Sequence, residues 1–227
     1  IEGGIPIPPP CVLGHEPAGV VEAVGPDVTS VAPGDHVIAC LSRYCGTCQF
    51  CAGGRPYLCT AGFSGRPGGN MTPALKDGSG ETVGQFASLS SFAEKMLTTE
   101  RSVVKIRDDM PLDRAAIIGC AVTTGAGTIF NACKVVPGET VAVVGCGGVG
   151  LAAINAAKIA GAGKVIAIDP LAEKRELAQV LGATHTVDAM ADNAVEEVMK
   201  ISRGGVHHAI EAVGRQASAD LCVKILR

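Results

Sequence analysis

Hydrophobic and polar positions follow two different rhythms along the chain, and the change falls near residue 120. Before it, short apolar runs at residues 18–24 and 36–39 sit between the turn signals Gly25-Pro26-Asp27 and Pro33-Gly34-Asp35. That pattern predicts short strands in a barrel-like or sandwich-like domain. Residues 61–91, rich in Gly, Ser and Thr, read as a long surface excursion. After residue 120 compact apolar strands are expected at 140–144, 164–168, 184–187 and 207–213. Helical spacing is expected at 149–160, 172–181 and 191–202, with a fourth helix starting at 217. Strands alternating with helices of about ten residues predict βαβ units and a parallel sheet. The expected division is a β-rich domain over residues 1–122 and an α/β domain over residues 123–227, with neither a repeat nor a low-complexity tract.

Composition narrows the class. Of 227 residues 47% are hydrophobic, yet only five are Phe, two Tyr and none Trp, while 30 are Gly. The core is therefore built from small aliphatic side chains, which suits buried strands and closely packed helices. A net charge of −3 offers no footprint for nucleic acid or an anionic membrane. There is no 18-residue apolar run and no signal-peptide pattern at the start, so a soluble protein is expected. The chain opens on Ile1-Glu2-Gly3-Gly4 and closes on Leu226-Arg227 within an expected helix, so both ends read as cuts. Of ten cysteines, four lie at metal-ligand spacing and the rest are scattered. Without a secretory signal this favours metal binding in a reducing cytoplasm over disulfides.

Two motifs carry chemistry. Gly145-Cys146-Gly147-Gly148-Val149-Gly150 is a G-x-G-x-x-G run between the first strand and first helix of the α/β part. Gly145 permits the tight turn, Gly147 lets backbone approach a pyrophosphate, and Gly150 allows close helix–strand packing. The helix N-terminus offers unpaired N–H groups and partial positive charge to phosphate. Asp169, at the end of the second strand, is placed to accept from the ribose hydroxyls and to repel a 2′-phosphate, so NAD is expected rather than NADP. The second motif is Cys45-x2-Cys48-x2-Cys51-x7-Cys59. Thiolates at that spacing in a turning loop can converge on one zinc, and four of them leave no open position, so this ion would be structural. A nucleic-acid-binding zinc ribbon would need a basic face that the composition does not supply.

Gly14-His15-Glu16, and Gly119-Cys120 ahead of Ala121-Val122-Thr123-Thr124-Gly125, are weak signals alone. Taken in order with the four-cysteine loop and the glycine run, they resemble the zinc-dependent medium-chain alcohol dehydrogenases, most closely the class III, glutathione-dependent formaldehyde dehydrogenase-like branch. The resemblance spans essentially the whole chain. It implies a GroES-like β-rich catalytic domain followed by a doubly wound Rossmann domain with strand order 3-2-1-4, both incomplete. It implies a catalytic zinc with His15 and Cys120 as second and third ligands and Glu16 as a nearby carboxylate. The family's first ligand cysteine would fall before Ile1, and Cys11 does not match its position. Thr124 matches a residue at the nicotinamide ring, Lys174 a lysine near the adenosine ribose, and Val213, Gly214 and Arg215 the stretch where the fourth strand meets the cofactor. Gly148 and Val149 belong to the glycine loop. His36, His185, His207 and His208 match no role and are expected to be structural or exposed.

The implied function is zinc-dependent oxidation of an alcohol, or of a thiol–aldehyde adduct, with hydride transfer to NAD. The implied cofactors are structural and catalytic zinc and NAD. The implied partners are a small alcohol or aldehyde and further copies of the full-length chain, with no nucleic acid and no membrane. Two readings compete: a non-catalytic NAD- and zinc-binding fragment, and a polyol or threonine dehydrogenase of the same superfamily.

Overall fold

The computed structural model describes residues 9–60 and 75–227. The chain divides into two compact units, Ile1–Cys120 and Ala121–Arg227.

The first unit is made of short pieces. Its strands are β1 (Cys11–Val12), β2 (Ala18–Val20), β3 (His36–Ala39), β4 (Leu75–Lys76), β5 (Thr82–Gln85) and β6 (Val103–Lys105). Its helices are α1 (Gln49–Ala52) and α2 (Leu112–Ala115), with 3-10 turns at Pro56–Leu58, Glu100–Ser102 and Ala116–Gly119. The strands form two three-stranded sheets, β1-β5-β4 and β2-β3-β6. In the second sheet both pairings are antiparallel, with Val20 opposite His36 and Ala39 opposite Val103.

The run at 18–24 forms a strand only as far as Val20, where β3 begins its pairing. The excursion expected over 61–91 is also corrected. Residues 75–85 form a hairpin whose second strand pairs in parallel with β1, while residues 61–74 lie outside the described residues. The hairpin closes because Asp77 Oδ1 accepts from Ser79 N at 2.9 Å, Ser79 Oγ at 2.6 Å and Glu81 N at 3.0 Å. A short carboxylate that captures nearby backbone N–H groups gives the chain a turn of its own, and composition alone masked it as loop.

The second unit opens with α3 (Ala121–Gly127), continues through a wider π-type turn at Thr128–Cys133, and stops at Lys134 in left-handed conformation. It then alternates β7 (Thr140–Val144), α4 (Gly148–Ile159), β8 (Lys164–Ile168), α5 (Ala172–Leu181), β9 (His185–Val187), α6 (Ala194–Ser202), β10 (His208–Glu211) and α7 (Gln216–Ile225). The sheet order is β10-β7-β8-β9 with every pairing parallel, the expected 3-2-1-4 order.

Because side chains alternate across a strand, the sheet feeds two cores. Val141, Val143, Val165 and Ala167 pack with Ala153, Ile154, Ala157 and Ala178 of α4 and α5. Ala142, Val144, Ile166 and Ile168 pack with Val198, Cys222 and Ile225 of α6 and α7. Burial on both faces is what makes these strands unbroken apolar runs in the sequence. The fourth helix, expected to run on through Leu226-Arg227, instead ends at Ile225. Leu226 leaves it and bridges Val206 in parallel, with Val206 N donating to Ile225 O at 2.9 Å and Arg227 N to Val206 O at 3.2 Å.

Candidate functional site

In the first unit the four motif cysteines converge. Their sulfur atoms all lie within 4.8 Å of one another. Cys48 Sγ is 3.5 Å from Cys51 Sγ and 3.9 Å from Cys59 Sγ. A tetrahedron with zinc–sulfur bonds of about 2.3 Å has an edge of about 3.8 Å, so these separations suit one zinc. They are far longer than a disulfide bond of about 2.05 Å, and all ten cysteines are free.

The loop is turned toward its sulfurs by backbone. Thr47 N and Cys48 N donate to Cys45 Sγ at 3.5 and 3.3 Å, and Cys45 N to Cys59 Sγ at 3.2 Å. The Thr47 N–H bond leads in bringing the Cys45 thiol down to about 6. Burial leads in pushing Cys51 up to about 11. Gly46 takes φ +80°, and a Cβ there would come within 2.6 Å of the Arg101 guanidinium. Arg101 also lies over the Tyr44 ring, 5.8 Å from its centroid. The approach of Arg101 to this loop is a tertiary contact that no local pattern marks. Arg43, at 5% exposure, has its NH1 buried without a hydrogen-bond partner.

The second set is His15, Glu16 and Cys120, whose ligand atoms also lie within 4.8 Å of one another. His15 follows Gly14, which has φ +94° and leaves no room for a Cβ beside Ser91 Oγ, 2.6 Å away. The strand pairing of 10–14 with 84–92 continues here through Ser91 N to Gly14 O at 3.1 Å. The Phe86 ring sits 5.5 Å from the imidazole and tilted, bounding its orientation. On the other side, Gly119 lets the backbone press against β3: a Cβ there would stand 2.1 Å from Ala39 O. That approach delivers Cys120 beside His15 although the two lie far apart in sequence. An imidazole and a carboxylate from one segment and a thiol from another, converging, suit zinc. Among the described residues Cys11 belongs to neither ligand set.

The second unit carries the glycine loop between β7 and α4. Gly145 has φ +96°, and a Cβ on it would meet Val213 Cγ2 at 2.6 Å. A Cβ on Gly150 would fall 1.8 Å from Gly145 O, so helix and strand can close only over glycine. At Gly147 nothing lies within 4 Å of where a Cβ would stand. Internal packing therefore does not explain that glycine, and the open space at the start of α4 suits an anionic group approaching the backbone. Gly148 and Val149 form the first turn of α4. Thr124 is exposed on α3, which is held tightly to α4 because Gly125 faces Val149 O.

Asp169 is 4% exposed. Its Oδ2 accepts from Cys146 N at 2.8 Å and its Oδ1 from Leu171 N at 3.0 Å. The carboxylate thus also holds the glycine loop, a duty the sequence pattern did not reveal. Lys174 lies on the first turn of α5, and Arg215 stands at the N-cap position of α7 without a side-chain cap bond. Val213 and Gly214 are organised by a residue the sequence reading missed. Glu211 accepts from Val213 N and Gly214 N, both at 2.9 Å, and from Ser218 Oγ at 2.6 Å. The bond from Ser218 leads in holding its carboxyl below the usual range. Two of the histidines outside the metal set serve the scaffold. His208 meets Glu139 at 2.8 Å, and His207 Nδ1 accepts from Thr140 N at 3.0 Å.

Comparison with known proteins places this geometry in a family. Residues 1–108 match the alcohol dehydrogenase GroES-like domain and residues 148–227 the zinc-binding dehydrogenase domain. The chain belongs to the zinc-binding medium-chain alcohol dehydrogenase family. It is 42% identical over 213 residues to S-(hydroxymethyl)glutathione dehydrogenase of Saccharomyces cerevisiae, covering 90% of this chain and 55% of that one. It is 44% identical over 196 residues to the NDMA-dependent alcohol dehydrogenase of Amycolatopsis methanolica, covering 86% and 53%. Among solved structures it is similar to benzyl alcohol dehydrogenase from Acinetobacter calcoaceticus, with TM-score 0.86, 38% identity and coverage of 98% and 60%. An alcohol dehydrogenase zinc-binding domain protein from Burkholderia ambifaria gives TM-score 0.89, 40% identity and coverage of 97% and 60%. The chain spans about half the length of the curated relatives it matches.

Proposed function

We propose that this chain carries the zinc and dinucleotide sites of an oxidoreductase that oxidises an alcohol, or a thiol–aldehyde adduct, and passes hydride to NAD. The observation that carries the reading is the convergence of His15, Glu16 and Cys120 in a unit that also holds a four-thiolate cage. In this reading residues 1–122 form the zinc-binding catalytic domain and residues 123–227 the NAD-binding domain.

His15 and Cys120 hold the catalytic zinc and Glu16 tunes it. Cys45, Cys48, Cys51 and Cys59 hold a second, structural zinc. A zinc at the first site supplies Lewis acidity that eases proton loss from an alcohol, which at neutral pH barely ionises. Phe86 limits rotation of the His15 ring, and Gly119 fixes the approach of Cys120. Gly145, Gly147, Gly148, Val149 and Gly150 receive the pyrophosphate. Asp169 has two carboxylate oxygens, each with one bond to backbone and capacity for another, so it can accept from both ribose hydroxyls. Thr124, Lys174, Val213 and Arg215 line the path of the dinucleotide. The finer reading adds a cytoplasmic setting, a homo-oligomeric parent, and no nucleic-acid or membrane partner; among the described residues no single helix is long and apolar enough to cross a membrane.

Elemental analysis of the purified chain tests the metal part. One zinc per chain supports the four-cysteine site alone, two support both sites, and none overturns both. Turnover of benzyl alcohol and of formaldehyde with and without glutathione, measured as NADH formation, then separates the substrate classes named for its relatives. Absence of NADH with every substrate from a two-zinc preparation would overturn the catalytic reading.

A further inference from the structure

The ends of β7, β8 and β9 are joined by polar contacts that the glycine motif does not require. Asp169 sits at their centre. Its carboxylate takes Cys146 N of the glycine loop and Leu171 N, and its own backbone N donates to Val187 O at the end of β9 at 3.3 Å. Its carbonyl is held from below by Arg175. That side chain reaches back from α5, its NH1 donating to Asp169 O at 2.6 Å and to Pro170 O at 2.9 Å. The same nitrogen stands 3.4 Å from Asp188 Oδ2, just past β9, with the Arg175 side chain at 20% exposure. Asp188 is itself oriented, since its other oxygen accepts from Met190 N at 2.9 Å.

We propose that Arg175, fixed by Asp188, is a positioning residue for cofactor choice. It sets where the Asp169 carboxylate stands and thereby the preference for an unphosphorylated adenosine ribose. The inference rests on the dinucleotide reading above and names a residue that acts on the ribose only through Asp169. Both hydrogens on NH1 are spent on carbonyls, so that end of the guanidinium is turned away from a 2′-phosphate. A planar cation that bridges two carbonyls and a carboxylate holds one backbone geometry, whereas an ammonium on a flexible stem does so less strictly. Lys174, one residue earlier, has no such bond among the described residues and does not share the role.

Loss of the bridge frees the Asp169-Pro170-Leu171 turn. Ribose acceptance by the carboxylate falls, and so does its repulsion of a 2′-phosphate. NAD binding therefore weakens while NADP binding does not weaken in step, and their ratio contracts. A merely structural role for Arg175 would weaken both dinucleotides alike and leave the ratio alone.

The experiment is titration of NAD and of NADP, by calorimetry, into the unchanged chain and into Arg175→Met, Arg175→Lys and Asp188→Asn. Thermal unfolding without ligand checks that each variant is folded. The expected result is a fall of about tenfold in the NAD-to-NADP affinity ratio for Arg175→Met, the scale of one charged hydrogen bond. Smaller falls are expected for Arg175→Lys and Asp188→Asn. Should Arg175→Met fail to fold, Asp188→Asn keeps the arginine and still loosens it, and the same contraction is required of it. An unchanged ratio in the folded variants overturns the proposal and leaves the dinucleotide reading standing. Failure of the unchanged chain to bind either dinucleotide overturns both.

Discussion

The two units reach stability by different means. Among the described residues of the second unit, 23 apolar side chains are buried, filling β7 and most of β8 and including helix residues on both faces of the sheet. Among the described residues of the first unit, five are: Ile38, Ala39, Cys59, Leu89 and Ala115. Its strands are two to four residues long, and one of its five buried apolar residues is itself a motif thiol. A small core cannot alone offset the entropy of ordering so many turns. The four-sulfur cage stands where such a unit needs a staple. The second unit needs none, and its polar groups are free to be arranged for a ligand. On the proposed reading metal holds one half in shape, while apolar packing holds the other.

Removing the staple should give the largest effect. Replacing Cys45 and Cys59 by Ser, or stripping the protein with a strong chelator, should unfold the first unit and leave the second folded. Structural zinc in small domains contributes on the order of 10 kcal/mol, comparable to the whole stability of a typical domain. Limited proteolysis reads this directly: cleavage should spread through residues 9–120 while a fragment of the second unit survives. Equal loss of both fragments would mean that the second unit is not independently stable.

The reverse stress should act only on the second unit. Ile166 is fully buried in the centre of the sheet, and Ile166→Ala should cost about 2–5 kcal/mol through lost transfer energy and a residual cavity. Chemical denaturation followed by a probe in each unit would show a lowered midpoint in the second. A first unit whose zinc release becomes faster in this variant would break the division drawn above.

How much of this could be read in the sequence follows the same line. In the second unit, strand order, helix positions and the glycine loop follow from local pattern, because strands buried on both faces are uninterrupted apolar runs and each crossover is short. β7, β8 and α5 match the expected bounds residue for residue. In the first unit His36–Ala39 was legible, but β4 and β5 were hidden in a Gly- and Ser-rich stretch, since two-residue pairings leave no periodicity to detect. The cysteine spacing announced one ligand set. The proximity of Cys120 to His15 is a tertiary fact that only the resemblance anticipated, since the close approach of Gly119 to Ala39 O leaves no local mark. Neither Glu211 nor Arg175 belongs to a motif: their backbone partners lie two to six residues away, but a charged residue at such a distance from a turn carries no mark of its own, and Asp188 meets Arg175 only when the ends of β8 and β9 come together.

A change at Asp169 sharpens the comparison, since it touches ligand geometry and stability together. Asp169→Gly should shift preference toward NADP, as removal of the carboxylate removes both ribose acceptance and repulsion of the 2′-phosphate. It should also cost about 1–3 kcal/mol, because Cys146 N and Leu171 N lose their acceptor. Asp169→Asn keeps one acceptor oxygen and should lose less of both. Kinetic preference that stays fixed in Asp169→Gly would count against the ribose role, whatever the stability.

The smallest effect belongs to Glu211, which holds the Val213–Gly214 turn from an exposed position. Its carboxyl is lowered, chiefly by the Ser218 hydroxyl bond. A group lowered by folding stabilises the native state above its unfolded value, and that contribution is lost as pH falls through the folded value. The melting temperature of the second unit should therefore decline from about pH 4.5 downward with a slope that Glu211→Gln reduces. The first unit, followed separately by its zinc content, should show no difference between Glu211→Gln and the unchanged chain at any pH. An identical acid limb for both proteins in the second unit would remove Glu211 from the groups that brace the cofactor turn, and Ser218→Ala, which takes away the leading cause of the shift, should reproduce the Gln variant in part.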